Sequence, residues 1–457
     1  MLEVKDALYR GREDLIYRLN VAESPFVTSV YPLGAKRGTQ AKIAINGVNL
    51  DVESLAIDVP ADAPPKLPIE LKTGSLAANV MPFAAGDLPE IEEAEPNDAV
   101  DAAQSIASPA IINGRIQTEG DVDYFVFDAK AKDRIVLDVM ARRLESPLDS
   151  IVTLYYRRTQ QVAENDDTTD PSEGLITHHA DSYVLFEARS DGEYAVRITD
   201  VQGRGGEEFA YRLRVSPPQQ DFALAVSPAH LRVRQGETVV AKVKAFRTDQ
   251  FWPEINLEFA GLPEGFATSR AILGKGQSET RFTITAPKDA ELAVHWPSVA
   301  GTMVFGEDAK TIKRQATPAE EMMQAFYYWH SVPAEELLLA VTEPGPFTFA
   351  VELPESGEVE IPQGGTKTVK IKAVRGEQAA HAIRLAAVEP PRGVTVKVAQ
   401  LPADQDETTI TLTANKSLAV GARESVIVSG TLKIDKDNVV SMAPAIPIVI
   451  VSSDPPK

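Results

Sequence analysis

The chain has 457 residues, no cysteine and a net charge of −20. That length exceeds what one hydrophobic core serves, so about three to four domains are expected, and 44% hydrophobic residues leave little room for long disordered stretches. The acidic balance argues against nucleic acid and anionic membranes as partners, both of which call for basic patches; the lack of cysteine excludes disulfides and thiolate metal sites.

No apolar run approaches the roughly 18 residues of a membrane span, and the start, MLEVKDALYRGRED, has no hydrophobic signal-peptide core. The first periodic stretch is EDLIYRLNV, Glu13 to Val21, which returns as EEFAYRLRV, Glu207 to Val215, with five of nine positions identical. A lone strand cannot bury its face. Residues 1–23 therefore read as the orphan terminal strand of an upstream sandwich, or as a strand that docks on a sheet edge of this chain or of a neighbour, which would give self-association through the N-terminus.

The next segment, SPFVTSVYPLGAKRGTQAKIAINGVNL, puts Gly34, Gly38-Thr39 and Gly47-x-Asn49-Leu50 at turns around an alternating strand. With Pro32, these residues resemble the start of an IPT/TIG domain, a small Ig-like β-sandwich, here residues 24–89. The resemblance implies a spacer or protein-contact module without chemistry.

Residues 90–217 carry the densest signal. Glu93, Glu95, Asn97 and Asp98 place four oxygen-bearing side chains within six residues, and Asp121 and Asp123 add two more. Such a set suits Ca²⁺, which takes six to eight oxygens in flexible geometry, better than Mg²⁺. Asp121 and Asp123 share a side if their segment is extended. The competing reading is a solvated acidic linker with Asp121 in a turn.

The stretches Glu95-Pro96-Asn97-Asp98, Gly120-Asp121-Val122-Asp123-Tyr124-Phe125 and Gly192-x-Tyr194 resemble the bacterial pre-peptidase C-terminal domain, a jelly-roll-like sandwich appended to secreted proteases and other exported proteins. The resemblance implies that Glu93, Glu95, Asn97 and Asp98 form a calcium-binding linker of the kind seen in collagenase collagen-binding domains, completed by later aspartates. Calcium there is expected to be structural, pinning the linker to the sandwich.

Two further clusters in this segment favour structural roles. Glu164 to Asp170 lacks the glycine and glutamate of an EF-hand loop. In His178-His179-x-Asp181-Ser182 the adjacent histidines of an extended segment face opposite sides, and a triad draws its members from separate parts of a chain.

Downstream, QGETVVAKVKAFR (Gln235 to Arg247) recurs as QGGTKTVKIKAVR (Gln363 to Arg375) at an ungapped offset of 128. The same offset matches Ile255 with Ile383, Leu257 with Leu385, Pro263 with Pro391 and Gly265 with Gly393. Two copies of one Ig-like sandwich are expected, residues 218–345 and 346–457, bounded by proline clusters that cannot continue a ladder. Within the first of them, Thr317 as N-cap, Pro318 and Glu320 predict one short helix near 318–329, packed on the sandwich through Met322, Met323, Phe326 and Trp329.

The fold expected is all-β: tandem Ig-like and jelly-roll-like sandwiches in an elongated array with that single helix. No Gly-x-Ser-x-Gly elbow, His-Glu-x-x-His pair or phosphate loop occurs. The function expected is that of a non-catalytic extracellular, cell-surface or periplasmic protein that spaces, adheres or binds a protein or glycan. The alternatives are the accessory C-terminal region of a secreted enzyme such as a protease, and a self-assembling surface structural protein.

Overall fold

The computed structural model describes residues 3–5, 17, 19, 21–73, 76–169, 178–306, 308–324 and 328–453. They form two compact units, Met1–Thr168 with His179–Pro217 and Thr169–His178 with Pro218–Lys457. Almost all regular structure is strand; the helical turns among the described residues are the 3₁₀ segments Val100–Ala102, Arg142–Leu144 and Thr248–Gln250. Most of the N-terminal copy, residues 13–21, lies outside the described residues.

The first unit holds two cores. One, built on Val30, Ile43, Ile45 and Phe83, lies among two three-stranded sheets: Phe26–Tyr31, Thr39–Val48 and Ser54–Val59, and Gly34–Lys36, Met81–Gly86 and Lys66–Ile69. The other lies between two five-stranded sheets. Its first sheet orders Gln104–Ser105, Asp123–Ala129, Gly192–Asp200, Ser150–Tyr156 and Gln160–Asn165. Its second orders Tyr183–Glu187, Arg134–Met140, Ala210–Ser216, Ala110–Arg115 and Glu90–Glu92. Alternate residues such as Phe125, Phe127, Leu213 and Val215 point inward and are buried, as the two-residue period of a strand requires.

The second unit also has two cores, one built on residues from Phe222 to Val341 and the other on residues from Phe347 to Ile450. The strands Thr238–Arg247, Ile255–Ala260 and Glu279–Thr285 recur at an offset of 128 as Thr366–Arg375, Ile383–Ala387 and Glu407–Ala414. Their turns recur too: Gly236 and Gly364 both have φ 73°, and Gly265 and Gly393 have φ 86° and 84°, a left-handed conformation that glycine adopts without steric cost. The hydroxyls of Thr238 and Thr285 lie 2.9 Å apart across paired strands, and those of Thr366 and Thr413 lie 3.1 Å apart.

The helix expected near 318–329 is not formed. Thr317 to Gln324 belong instead to the 15-residue strand Lys310–Gln324, whose outer end pairs antiparallel with Tyr328–Pro333. Local capping preference yields here to cross-strand charge pairing. Glu320, which would close a capping box, lies 2.7 Å from His230 Nδ1, while Glu321 bridges Lys242, at 2.7 Å, and Lys244. Pro318, which donates no ladder bond, sits where the strand changes partners, from Phe222–Ser227 to Tyr328–Pro333. Met322 and Met323 are exposed rather than packed. Phe326 and the Trp329 side chain lie outside the described residues.

Candidate metal centre

The acidic segment begins as an added strand. Glu90–Glu92 pairs in parallel with Ala110–Arg115, placing Glu90 opposite Ile111 and Glu92 opposite Asn113. Ile91 packs on the sandwich core. On its outer side Glu90 is gripped by the fully buried Arg212, whose Nη2 and Nη1 donate to its two carboxylate oxygens at 2.9 and 3.1 Å. Such a bidentate pair fixes orientation as well as position. Arg212 Nη1 also donates to Asn113 Oδ1 at 2.8 Å.

Beyond Glu92 the chain crosses the end of the sandwich. Glu93 Oε2 accepts the backbone N–H of Arg115 at 2.8 Å, and Glu95 Oε2 accepts that of Asn97 at 2.8 Å. The Asn97 carbonyl accepts the N–H of Tyr124 at 3.0 Å, which seats the loop beside the start of strand Asp123–Ala129. Asp121 is held from below: its carboxylate accepts the N–H groups of Gln117 and Val122 at 2.5 and 2.8 Å.

Two groups of three carboxylates result. Glu93, Glu95 and Asp123 form one, and Glu95, Asp98 and Asp121 the other; within each group the candidate ligand oxygens lie within 4.8 Å of one another. Asn97 is fully buried beside them, its Nδ2 donating to Glu93 Oε1 at 3.3 Å. All six residues singled out in the sequence therefore converge, with Glu95 common to both groups.

The carboxylates of this cluster are crowded and partly desolvated. Asp123 is fully buried; its Oδ2 accepts from the Tyr211 hydroxyl at 2.6 Å, while its Oδ1 has no hydrogen-bond partner. Burial, then the Glu93 carboxylate beside it, push the Asp123 carboxyl far above the usual carboxylate range. Glu95 is also pushed up, by burial first and then by the charges of Glu93, Asp98 and Asp121 against its bond from Asn97. Asn97 Oδ1 is a second buried oxygen without a donor. A buried acceptor left unmatched costs about 1–3 kcal/mol. Two orphaned oxygens beside crowded carboxylates, with no nitrogen or sulfur donor among the grouped residues, match the needs of a hard divalent cation of flexible coordination.

The segment is tied in turn to the preceding sandwich. Tyr31 Oη lies 2.8 Å from Glu92 Oε2 and 3.1 Å from the Asn113 carbonyl. The Arg115 guanidinium stands 3.7 Å over the Tyr31 ring, a cation–π contact. Tyr31, Arg115, Tyr211 and Arg212 were not singled out from the sequence. For the last two the signal was present: they are the Tyr-Arg of the repeated nonapeptide.

The other clusters resolve differently. Asp181 is buried and accepts the N–H groups of Ala141, Arg142 and Arg143 at 3.0, 2.6 and 3.1 Å, and Arg143 Nε at 2.9 Å. It stabilises a turn, and Ser182 bonds Ser150. The side chains of His178 and His179 lie outside the described residues, as does Asp170. Glu164 accepts from Thr153 and Gln161, and Asn165 from the N–H of Tyr183.

No family model matches the chain. It is 30% identical over 143 residues to a probable subtilase-type serine protease of Deinococcus radiodurans, a match covering 29% of this chain and 18% of that protein. Among solved structures it is similar to the pre-peptidase C-terminal domain of a collagenase from Bacillus anthracis, at 17% identity and a TM-score of 0.19, over 27% of this chain and 99% of that one. Domains 5–6 of the S-layer protein SbsC match at 16% identity and a TM-score of 0.21, over 52% of this chain and 100% of theirs. The similarity to the collagenase is to its pre-peptidase C-terminal domain and not to a protease core.

Proposed function

We propose that this chain is a non-catalytic array of β-sandwich modules of an exported or cell-surface bacterial protein, serving adhesion, binding or spacing, in which calcium clamps residues 93–98 onto the end of a pre-peptidase-like sandwich. The modules would be residues 24–89, 90–217, 218–345 and 346–457. The observation that carries the calcium reading is the pair of buried, donorless oxygens, Asp123 Oδ1 and Asn97 Oδ1, beside the grouped carboxylates. Glu93, Glu95, Asn97, Asp98, Asp121 and Asp123 would supply the ligands. A bound divalent ion supplies the positive charge that relieves their mutual repulsion, a structural contribution.

With the linker held, Glu92 stays within reach of Tyr31 and the two sandwiches of the first unit keep one arrangement. The experiment is calorimetric melting with Ca²⁺ and with EGTA. Chelation lowers the melting temperature of the transition that contains this sandwich; an unchanged curve overturns the assignment. The partial match to a probable protease favours a second reading, in which these modules are the accessory region of a secreted enzyme. A catalytic domain in the same full-length reading frame decides for it.

A further inference from the structure

In the second unit a groove of about 330 Å³ runs beside the segment Trp296 to Val299. Its floor is apolar, made by Val299 and Leu337, both nearly inaccessible to solvent. One wall is Trp296, 58% exposed, whose indole Nε1 donates to Glu336 Oε2 at 2.9 Å. Glu335 and Gln315 complete the rim. An exposed tryptophan pinned by a hydrogen bond presents a rigid aromatic surface with little left to order on binding. Leu292 and Val294, just before that segment, are also exposed.

The charge balance of the groove is one-sided. Two basic residues of the neighbouring strand Lys310–Gln324 are engaged elsewhere: Arg314 pairs with Asp221 at 2.8 Å and Lys313 with Glu258 at 2.6 Å. His230 faces Glu320. No lysine or arginine lines the groove, and no cation pairs with Glu335 or Glu336 among the described residues. An exposed indole face beside two uncompensated carboxylates is complementary to an organic cation flanked by apolar groups.

We propose that this groove is a binding site for a basic, apolar-flanked segment of a partner protein, with an arginine or lysine head over Trp296 and between Glu335 and Glu336. This deepens the binding part of the function proposed above and does not depend on the metal centre. A saturable loss of solvent at Trp296 is its signature.

The test follows the indole N–H resonance of Trp296, assigned by Trp296→Phe, while the full chain is titrated with the peptide acetyl-Leu-Arg-Leu-Arg-amide. A saturable shift is expected with a Kd in the millimolar range or tighter, weakened by added salt. In the double variant Glu335→Gln/Glu336→Gln the new side-chain amide still offers the indole an oxygen acceptor, and affinity falls by at least about tenfold. The matching citrulline peptide leaves the resonance unmoved. The proposal is overturned by no saturable shift up to about 20 mM peptide, by equal binding of the citrulline peptide, or by tighter binding of a neutral oligosaccharide such as chitohexaose, which would make the groove a glycan site. Failure here leaves the calcium assignment standing, and an unchanged melting curve with EGTA leaves the groove standing.

Discussion

Arg247 and Arg375, 128 residues apart, close their two sandwiches by the same device. Arg247 donates to the carbonyls of Pro253, Gly274 and Gln277; shifted by 128 residues these acceptors become His381, Pro402 and Gln405, to which Arg375 donates. Each guanidinium thus ties the end of one strand to two loops. Burial alone lowers the pKa of Arg247, the cost of holding a cation among carbonyls. Replacing Arg247 by Met leaves three carbonyls without their donor, so a loss of about 3 kcal/mol is expected in urea unfolding of the second unit. Arg375→Met shifts it in the same direction.

The acidic loop is distinguished from the histidine pair by two substitutions. Asp98 belongs to a three-carboxylate group, so Asp98→Ala removes a proposed ligand and is expected to make the melting temperature as insensitive to Ca²⁺ as chelation does. His178→Ala keeps the full calcium-dependent shift. The reverse pattern, seen by calorimetry, moves the metal to the histidines.

Tyr211 is a positioning residue behind that loop. Its hydroxyl holds Asp123 Oδ2, and a Cβ on Gly114 would lie 2.4 Å from both its Cζ and its Oη. Gly114→Ala therefore displaces a fully buried tyrosine, at a cost of about 1–3 kcal/mol. Tyr211→Phe keeps the packing and removes only the bond to Asp123. Both are expected to weaken Ca²⁺ binding by about tenfold or more, as loss of an outer-shell partner does. Calcium titration calorimetry checks this; unchanged affinity in Tyr211→Phe shows that Asp123 needs no orientation.

The all-β class was legible because alternation and glycine or proline punctuation are local, as in Thr366–Arg375. The 128-residue repeat was legible where side chains carry it, at Ile255 and Ile383. It was not at the arginine acceptors, because a backbone carbonyl is the same on Pro253 and on His381. The helix near 318–329 misled because Thr317, Pro318 and Glu320 satisfy every local rule, while Lys242, which with Lys244 draws Glu321 into the sheet, lies 79 residues earlier. At the candidate site the six oxygen donors could be named from spacing. Of the supports, Tyr211 and Arg212 were marked only by the repeated nonapeptide, and Tyr31 and Arg115, which act from two further strands, not at all.

The contact between the two repeats carries a pH dependence. Gln277 Nε2, from the first repeat, donates to Glu424 Oε1 at 2.6 Å and to the Arg423 carbonyl at 2.8 Å in the second. Burial, with a smaller contribution from the charge of Glu279, pushes Glu424 up to about 6 against the stabilising bond from Gln277. The folded state therefore holds the proton more tightly than the unfolded chain. Stability from this group is fully present below the unfolded value of 4.5 and is lost as pH rises through about 6. Partial solvent access reduces the effect, so about 1–2 kcal/mol is the most Glu424 withdraws at neutral pH. Glu424→Gln keeps an oxygen acceptor for Gln277 and removes the buried charge. The variant is expected to be more stable than the parent at pH 7 and equal to it at pH 4.5. Urea midpoints of both proteins at the two values decide it: parallel pH profiles mean that the Glu424 carboxylate is freely solvated.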